Sequence, residues 1–122
     1  MVLNSRKEIG NAALSMVIAY FGSNGYVVSV PLNDTQDYDL VVDKDGKLQK
    51  VQVKGTNRRG TGNAYTIIDT DVDLLFCLCG DGTMYLIPKE DVANRCEINL
   101  SKEKSKYSKK LSQSYERYVV TM

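Results

Sequence analysis

Two short runs of strand-forming residues with an Asp-Gly dipeptide between them constrain the fold of this chain more than any other feature. The runs are residues 39–43 and 48–54, and Asp45 and Gly46 lie between them. Asp-Gly in this position is typical of a two-residue type I′ turn, because both central residues of that turn need a positive φ. The sequence therefore predicts a tight antiparallel hairpin.

The turn also predicts which residues of the hairpin share a face. Counting outward from Asp45 and Gly46 places Asp39 opposite Gln52, and opposite residues project from the same face. Lys54 returns to that face by the two-residue alternation of a strand. The other face presents apolar side chains for a core, namely Leu40, Val42, Val51 and Val53.

A carboxylate, a carboxamide and an ammonium group on one face are suited to phosphodiester hydrolysis. Mg²⁺ prefers carboxylate, carbonyl and water oxygens, and a bound metal polarises a phosphate and lowers the pKa of its water. A neighbouring lysine can stabilise the negative charge that develops on the phosphate. Many hairpins carry Asp and Lys on a solvated face, so the spacing alone leaves a purely structural interpretation open.

The rest of the chain predicts further helices and strands around this hairpin. A helical repeat of apolar residues spans residues 5–21, and residues 5–8 have the form of a capping box. Further strands are predicted at residues 26–30, 65–68, 74–79 and 84–87. Residues 55–63 are predicted to be a loop and residues 89–95 a short helix. A closing helix is predicted from the spacing of Tyr107, Leu111, Tyr115 and Tyr118. We expect a single α+β domain over residues 1–122.

The composition excludes several kinds of catalytic site. The chain has no histidine, which removes Ser-His-Asp and Cys-His catalysis and histidine-based nucleases. The odd number of cysteines, Cys77, Cys79 and Cys96, argues against a disulfide framework, and their spacing in a chain without histidine argues against a zinc site. The chain has neither a membrane-length apolar run nor a secretory signal, so we expect a cytoplasmic protein.

The charges are sorted into blocks, although the net charge is only +1. Residues 47–60 carry five basic groups and no acid, residues 69–91 are acidic, and residues 95–122 are basic again. Such blocks indicate a surface that faces a polyanion, or else two solvated faces. The candidate contacts to such a polyanion are Arg58, Arg59, Lys109 and Lys110.

Three runs resemble the PD-(D/E)XK nuclease superfamily: residues 26–31, 38–46 and 51–56. Within it they are most similar to small enzymes related to group I intron homing endonucleases and Holliday junction resolvases. The similarity continues through residues 73–76 and 85–88, and so spans about residues 5 to 95. The resemblance implies a restriction-endonuclease-like fold, a mixed β-sheet flanked by helices, in a bacterial, archaeal or phage context.

The resemblance also implies roles for individual residues. Asp39 corresponds to a metal ligand, Gln52 occupies the acidic position, the Val53 carbonyl is a further ligand, and Lys54 is the catalytic lysine. Glu8 is a candidate additional acid, because the superfamily often places a glutamate on the first helix; the alternative is that Glu8 only completes the capping box. Two departures from the motif are Tyr38 in place of proline and Gln52 in place of Asp or Glu.

The resulting expectation is an Mg²⁺- or Mn²⁺-dependent DNA endonuclease that acts as a homodimer or larger assembly. Its substrate would be a long target site, a four-way junction or nicked DNA. Two alternatives remain open at this point. One is a catalytically silent DNA-binding module on the same fold, and the other is a non-enzymatic scaffold.

Overall fold

One long helix and a mixed β-sheet form the body of the protein in a computed structural model, which describes residues 6–33, 35–56, 63–65, 72–91, 97–99 and 116–122. The helix is α1 (Arg6–Ser23). The strands are β1 (Val27–Ser29), β2 (Leu40–Lys44), β3 (Lys47–Thr56), β4 (Asn63–Tyr65), β5 (Leu74–Cys79), β6 (Met84–Pro88), β7 (Glu97–Asn99) and β8 (Val119–Val120). Short 3₁₀ turns follow β6 at Lys89–Asp91 and precede β8 at Glu116–Tyr118.

Six of the strands form one sheet, in the order β1-β2-β3-β5-β6-β8. β3 and β5 are parallel, and the other neighbouring strands in this sheet are antiparallel. β4 and β7 pair separately as a two-stranded antiparallel sheet. The mixed sheet with a helix packed against it agrees with the predicted α+β class.

The predicted hairpin between β2 and β3 is confirmed, together with its register. Asp45 has φ of 55° and Gly46 has φ of 82°, the two positive values that a type I′ turn requires. Lys44 pairs with Lys47, and the ladder runs without a slip to Leu40 opposite Val51. A register shift of one residue would move every side chain of the shifted strand to the other face of the hairpin. The turn therefore decides which side chains project from each face.

α1 packs on one face of the sheet and forms the main core there. Its residues Ala13, Val17 and Phe21, spaced four apart, are almost completely buried against Leu40 and other apolar side chains of β2, β3 and β5. Full burial of an aromatic or aliphatic side chain of this size stabilises the fold by roughly 1.5–3 kcal/mol. Gly25, with φ of 82°, ends the helix, because glycine adopts the left-handed conformation at low cost.

A second, smaller apolar cluster lies on the opposite face of the sheet. It consists of Leu75, Cys77, Cys79, Tyr85 and Ile87, with Tyr118 packed against it. Cys77 and Cys79 are free and fully buried, so they pack as small apolar residues. We call the face that carries this cluster, opposite α1, the site face.

Several sequence-based boundaries differ from the structure or lie beyond the residues that it describes. β3 continues to Thr56 rather than ending before residue 55, because Gly55 and Thr56 pair with β5. Tyr118 belongs to a 3₁₀ turn that leads into β8, not to a helix. The rest of the predicted closing helix, residues 107–115, lies outside the described residues, as do residues 66–68 and 92–95. Among the described residues, no helix has both the length and the apolar character needed to cross a bilayer.

Candidate active site

β3 directs Gln52 and Lys54 to the site face. Val51 is fully buried in the core beneath α1, and side chains alternate along a strand. Across the parallel pairing, Gln52 lies beside Leu75 and Lys54 beside Cys77, and both of these neighbours belong to the cluster on the site face. The structure therefore brings the predicted carboxamide and ammonium groups to the same face, against an apolar floor.

Asp39 stands next to Gln52, one residue beyond the end of the β2–β3 ladder. Its backbone N–H donates to the Val51 carbonyl at 2.9 Å, and its Oδ2 accepts from the Val53 N–H at 2.7 Å. Asp39 is thus hydrogen-bonded to the residues on either side of Gln52. The second contact fixes one carboxylate oxygen on the backbone and leaves Oδ1 available to a ligand. The side chain is exposed, so a ligand can reach it.

Gln52 is a buried polar residue with an unsatisfied oxygen. Only 9% of its surface is exposed, and its Oε1 has no hydrogen-bond partner among the described residues. Leaving a buried acceptor unpaired costs about 1–3 kcal/mol. Asp43 Oδ1 is the other such oxygen found in the described part of the chain, but Asp43 lies four residues along β2 from Asp39. An unpaired oxygen beside Asp39 is what a cation site requires, so these side chains fit a divalent metal.

Lys54 lies half-buried beside a thiol that does not ionise. Burial raises the pKa of Cys77 far above its usual range; Cys79 acts in the same direction, and the positive charge of Lys54 opposes them. Burial also raises the pKa of Tyr85 to about 12, assisted by Cys79 and by the carboxylates of Glu116 and Asp81. Cys77 and Tyr85 are therefore neutral near pH 7 and are unsuited to act as nucleophile or base. Lys54 is the group on this part of the face that can interact with a phosphate.

Asp73 anchors the strand that carries the site, although the sequence motifs assign no role to it. Its Oδ2 accepts from the Lys50 N–H at 2.9 Å, and its own N–H donates to the Lys50 carbonyl at 2.9 Å. The Asp73 carbonyl in turn accepts from the Lys89 N–H at 3.1 Å. These bonds set the register of β5 against β3 two residues before Gln52. The sequence feature that could have indicated this role is the position of Asp73, an acid directly before an apolar strand.

Glu8 is exposed in the first turn of α1, the helix that packs on the face opposite Gln52 and Lys54. Its role as metal ligand or helix cap stays a prediction, and Ser5, with which the capping box would form, is outside the described residues. Arg58, Arg59, Lys109 and Lys110 are also outside them. The residues that the structure describes contain no cluster of three or more His, Cys, Asp or Glu side chains able to hold a metal. The fit to a cation thus depends on Asp39 and Gln52.

Because the Gln52 oxygen is unsatisfied, we expect two substitutions of Gln52 to change the free energy of unfolding of the metal-free protein in opposite directions. Gln52→Leu replaces an unsatisfied group by an apolar one of similar size and should raise the free energy of unfolding by about 1 kcal/mol. Gln52→Glu places a carboxylate in the same buried position and should lower it. With Mn²⁺ present the order should reverse, since only the Glu variant offers the metal an oxygen. Thermal melts with and without Mn²⁺ measure this, and equal destabilisation by both changes without metal would contradict the assignment.

Comparison with known proteins gives a family match and a structural match. The sequence profile of the family described as PD-(D/E)XK endonuclease matches residues 4–119. The bacterial homing endonuclease I-Ssp6803I superimposes with a TM-score of 0.73 at 27% sequence identity, covering 96% of this chain and 88% of that chain. The structural match confirms the restriction-endonuclease-like α+β fold that the sequence motifs implied.

A curated relative matches a shorter stretch of the sequence. Protein 5.3 of Escherichia phage T7 is 43% identical over 63 residues, which are 49% of this chain and 53% of that protein. The match therefore spans only about half the length of each protein.

Proposed function

The chain belongs to the PD-(D/E)XK endonuclease family, and from this premise we propose that it is a metal-dependent DNA endonuclease with its active site at Asp39, Gln52 and Lys54. The observation that carries the proposal is the unpaired Gln52 Oε1, buried beside Asp39. The 122 residues are proposed to act as one domain.

Asp39, Gln52 and the Val53 carbonyl are the proposed metal ligands, with Glu8 as a candidate fourth. Bound Mg²⁺ or Mn²⁺ would polarise the scissile phosphate and lower the pKa of a bound water. Asp39 supplies the negative charge, and its hydrogen bond to the Val53 N–H holds the carboxylate in place before any ligand arrives. Such preorganisation means that little rearrangement is needed when the ligand binds.

Lys54 is proposed to stabilise the phosphate during cleavage. Lys54 is half-buried and pairs with Cys77 of the apolar strand β5, and an electrostatic interaction is stronger in such surroundings than in water. The ammonium donates to phosphate oxygens as negative charge develops on them, and a preformed donor of this kind acts mainly on the rate.

Duplex DNA is the proposed substrate, supported by the similarity to a homing endonuclease. The basic groups at residues 47–60 and 95–122 are proposed to contact phosphates, among them Arg58, Arg59, Lys109 and Lys110. Electrophoresis of products from linear duplex, four-way junction and single-stranded DNA tests the substrate. Faster cleavage of the junction would move the assignment to a resolvase, the second kind of enzyme that the motifs resemble.

A catalytically silent DNA-binding module is the second candidate, because Gln52 is neutral where the family motif has an acid. Titration with Mg²⁺ and Mn²⁺ by calorimetry, combined with a DNA-binding assay, separates the candidates. An endonuclease binds metal and DNA, and a silent module binds DNA alone. A chain that binds neither would be a scaffold, and the proposal would be wrong.

We expect the protein to act as a homodimer or larger assembly. One site contains one proposed metal centre, and cutting both strands of a duplex requires two such centres. Light scattering at micromolar concentration, with and without duplex DNA, measures the mass. A species of 13.6 kDa under both conditions would contradict the expectation.

A further inference from the structure

We propose that Lys50 binds the phosphate next to the scissile one, with Tyr38 as the residue that positions it; this inference rests on the proposed endonuclease function. Lys50 is two residues before Gln52 on β3 and projects from the same face, since side chains alternate along the strand. The face therefore presents Lys50, Gln52 and Lys54 in one row.

The spacing along β3 matches a nucleic-acid backbone that crosses the site. Residues two apart on a strand are separated by about 6.6 Å, which is comparable to the distance between neighbouring phosphates of one strand. If the scissile phosphate lies at Gln52 and Lys54, the ammonium group of Lys50 lies about one nucleotide away. A lysine at this point can contact a phosphate without taking part in bond cleavage.

Lys50 is held at both its backbone and its side chain. Its N–H and carbonyl are both hydrogen-bonded to Asp73, each at 2.9 Å. Its Nζ lies 5.3 Å from the centre of the Tyr38 ring, and Tyr38 directly precedes Asp39. The ring contact thus holds the ammonium group of Lys50 beside the residue that precedes Asp39, a proposed metal ligand.

The charge of Lys50 is not neutralised within the part of the chain that the structure describes. It forms no ion pair there, and the carboxylate of Asp73 is engaged with the backbone N–H of Lys50. A tyrosine ring attracts an ammonium group by about 0.5–1 kcal/mol at an exposed site, but it carries no opposite charge. The ring therefore orients the cation and leaves it free to bind an anion. This arrangement gives Tyr38 a role at the position where the family motif has proline.

Lys44 provides a matched control on the same hairpin. Its Nζ lies 5.0 Å from the centre of the Tyr26 ring, so it has the same kind of contact. However, Lys44 is on the α1 side of the sheet and donates to the Asn24 carbonyl at 3.1 Å. Substitution of Lys44 changes the net charge equally but leaves the site face intact.

The test is fluorescence-anisotropy titration of labelled random-sequence duplex DNA at several salt concentrations in EDTA. Lys50→Gln and Lys50→Met are each expected to weaken binding about three- to tenfold and to make the salt slope shallower by about 0.9, the value for one phosphate contact. Lys50→Arg should restore both. Lys44→Gln should match the wild type. Thermal melts check that each variant is folded.

Tyr38 is tested in the same titration by two substitutions. Tyr38→Phe keeps the ring and should keep the affinity, whereas Tyr38→Leu should weaken binding toward the level of Lys50→Gln. Equal affinities for these two variants would overturn the positioning role of Tyr38.

The outcomes separate this inference from the proposed function. Wild-type protein that cuts DNA while Lys50→Gln and Lys50→Met bind with unchanged affinity and salt slope would overturn the role of Lys50 alone. The role of Lys50 would also be overturned if Lys44→Gln weakened binding as much as Lys50→Gln does. Wild-type protein that neither binds nor cuts DNA would overturn the endonuclease assignment itself.

Discussion

Replacing Lys54 by alanine is expected to reduce DNA cleavage by about two to three orders of magnitude, equivalent to about 2.7–4 kcal/mol of transition-state stabilisation. The reason is that the ammonium group interacts with negative charge that develops in the transition state, so this interaction is weaker in the ground state. DNA affinity should therefore stay within a few-fold of the wild type. Single-turnover cleavage and anisotropy titration measure the two quantities separately.

Lys44→Ala is the control for Lys54→Ala, because it removes the same charge from the opposite face of the hairpin. Its cleavage rate should equal that of the wild type. Because Lys54 is half-buried beside Cys77, thermal melts must first establish that the Lys54 variant is folded. A folded Lys54→Ala protein that cuts DNA at the wild-type rate would refute the catalytic assignment of this residue.

Asp39→Asn is expected to abolish cleavage and to weaken metal binding at least about 100-fold, since loss of even an indirect partner of a metal ligand typically costs 10–100-fold. The amide keeps an oxygen that can accept from the Val53 N–H. Stability without metal should therefore change little. Asp39→Ala removes that acceptor as well and should additionally lower the free energy of unfolding by about 1 kcal/mol.

Calorimetric titration with Mn²⁺ gives the affinity for both Asp39 variants, and thermal melts give their stabilities. The comparison separates the two functions of one carboxylate, the bond to the backbone and the proposed bond to the metal. Wild-type affinity for Mn²⁺ in the folded Asn variant would exclude Asp39 as a ligand.

The hairpin could be predicted from sequence because its information is local. Asp45 and Gly46 require one turn type, that turn fixes one register, and alternation then assigns each side chain to a face. The same counting predicted the placement of Gln52 and Lys54. It failed by a small amount at Asp39, where the ladder has already ended and the N–H bonds to the Val51 carbonyl.

The parallel pairing of β3 with β5 could not be predicted in the same way. Parallel strands cannot be joined by a tight turn. Their register depends on the contacts between Asp73 and Lys50, two residues that are distant in sequence. The burial of Gln52 follows from that pairing, so its unsatisfied oxygen could not be predicted from the sequence either. At Tyr118 the helical spacing was misleading, because the β-branched pair Val119 and Val120 continues as an edge strand of the sheet.

The most direct test of the central claim is incubation of the purified protein with supercoiled plasmid DNA in Mg²⁺, in Mn²⁺ and in EDTA, followed by gel electrophoresis. The proposed site predicts nicked or linear plasmid with either metal, none in EDTA, and none with folded Lys54→Ala or Asp39→Asn protein. Plasmid that stays supercoiled under all conditions, although the wild-type protein binds it, would contradict an endonuclease and leave a DNA-binding module.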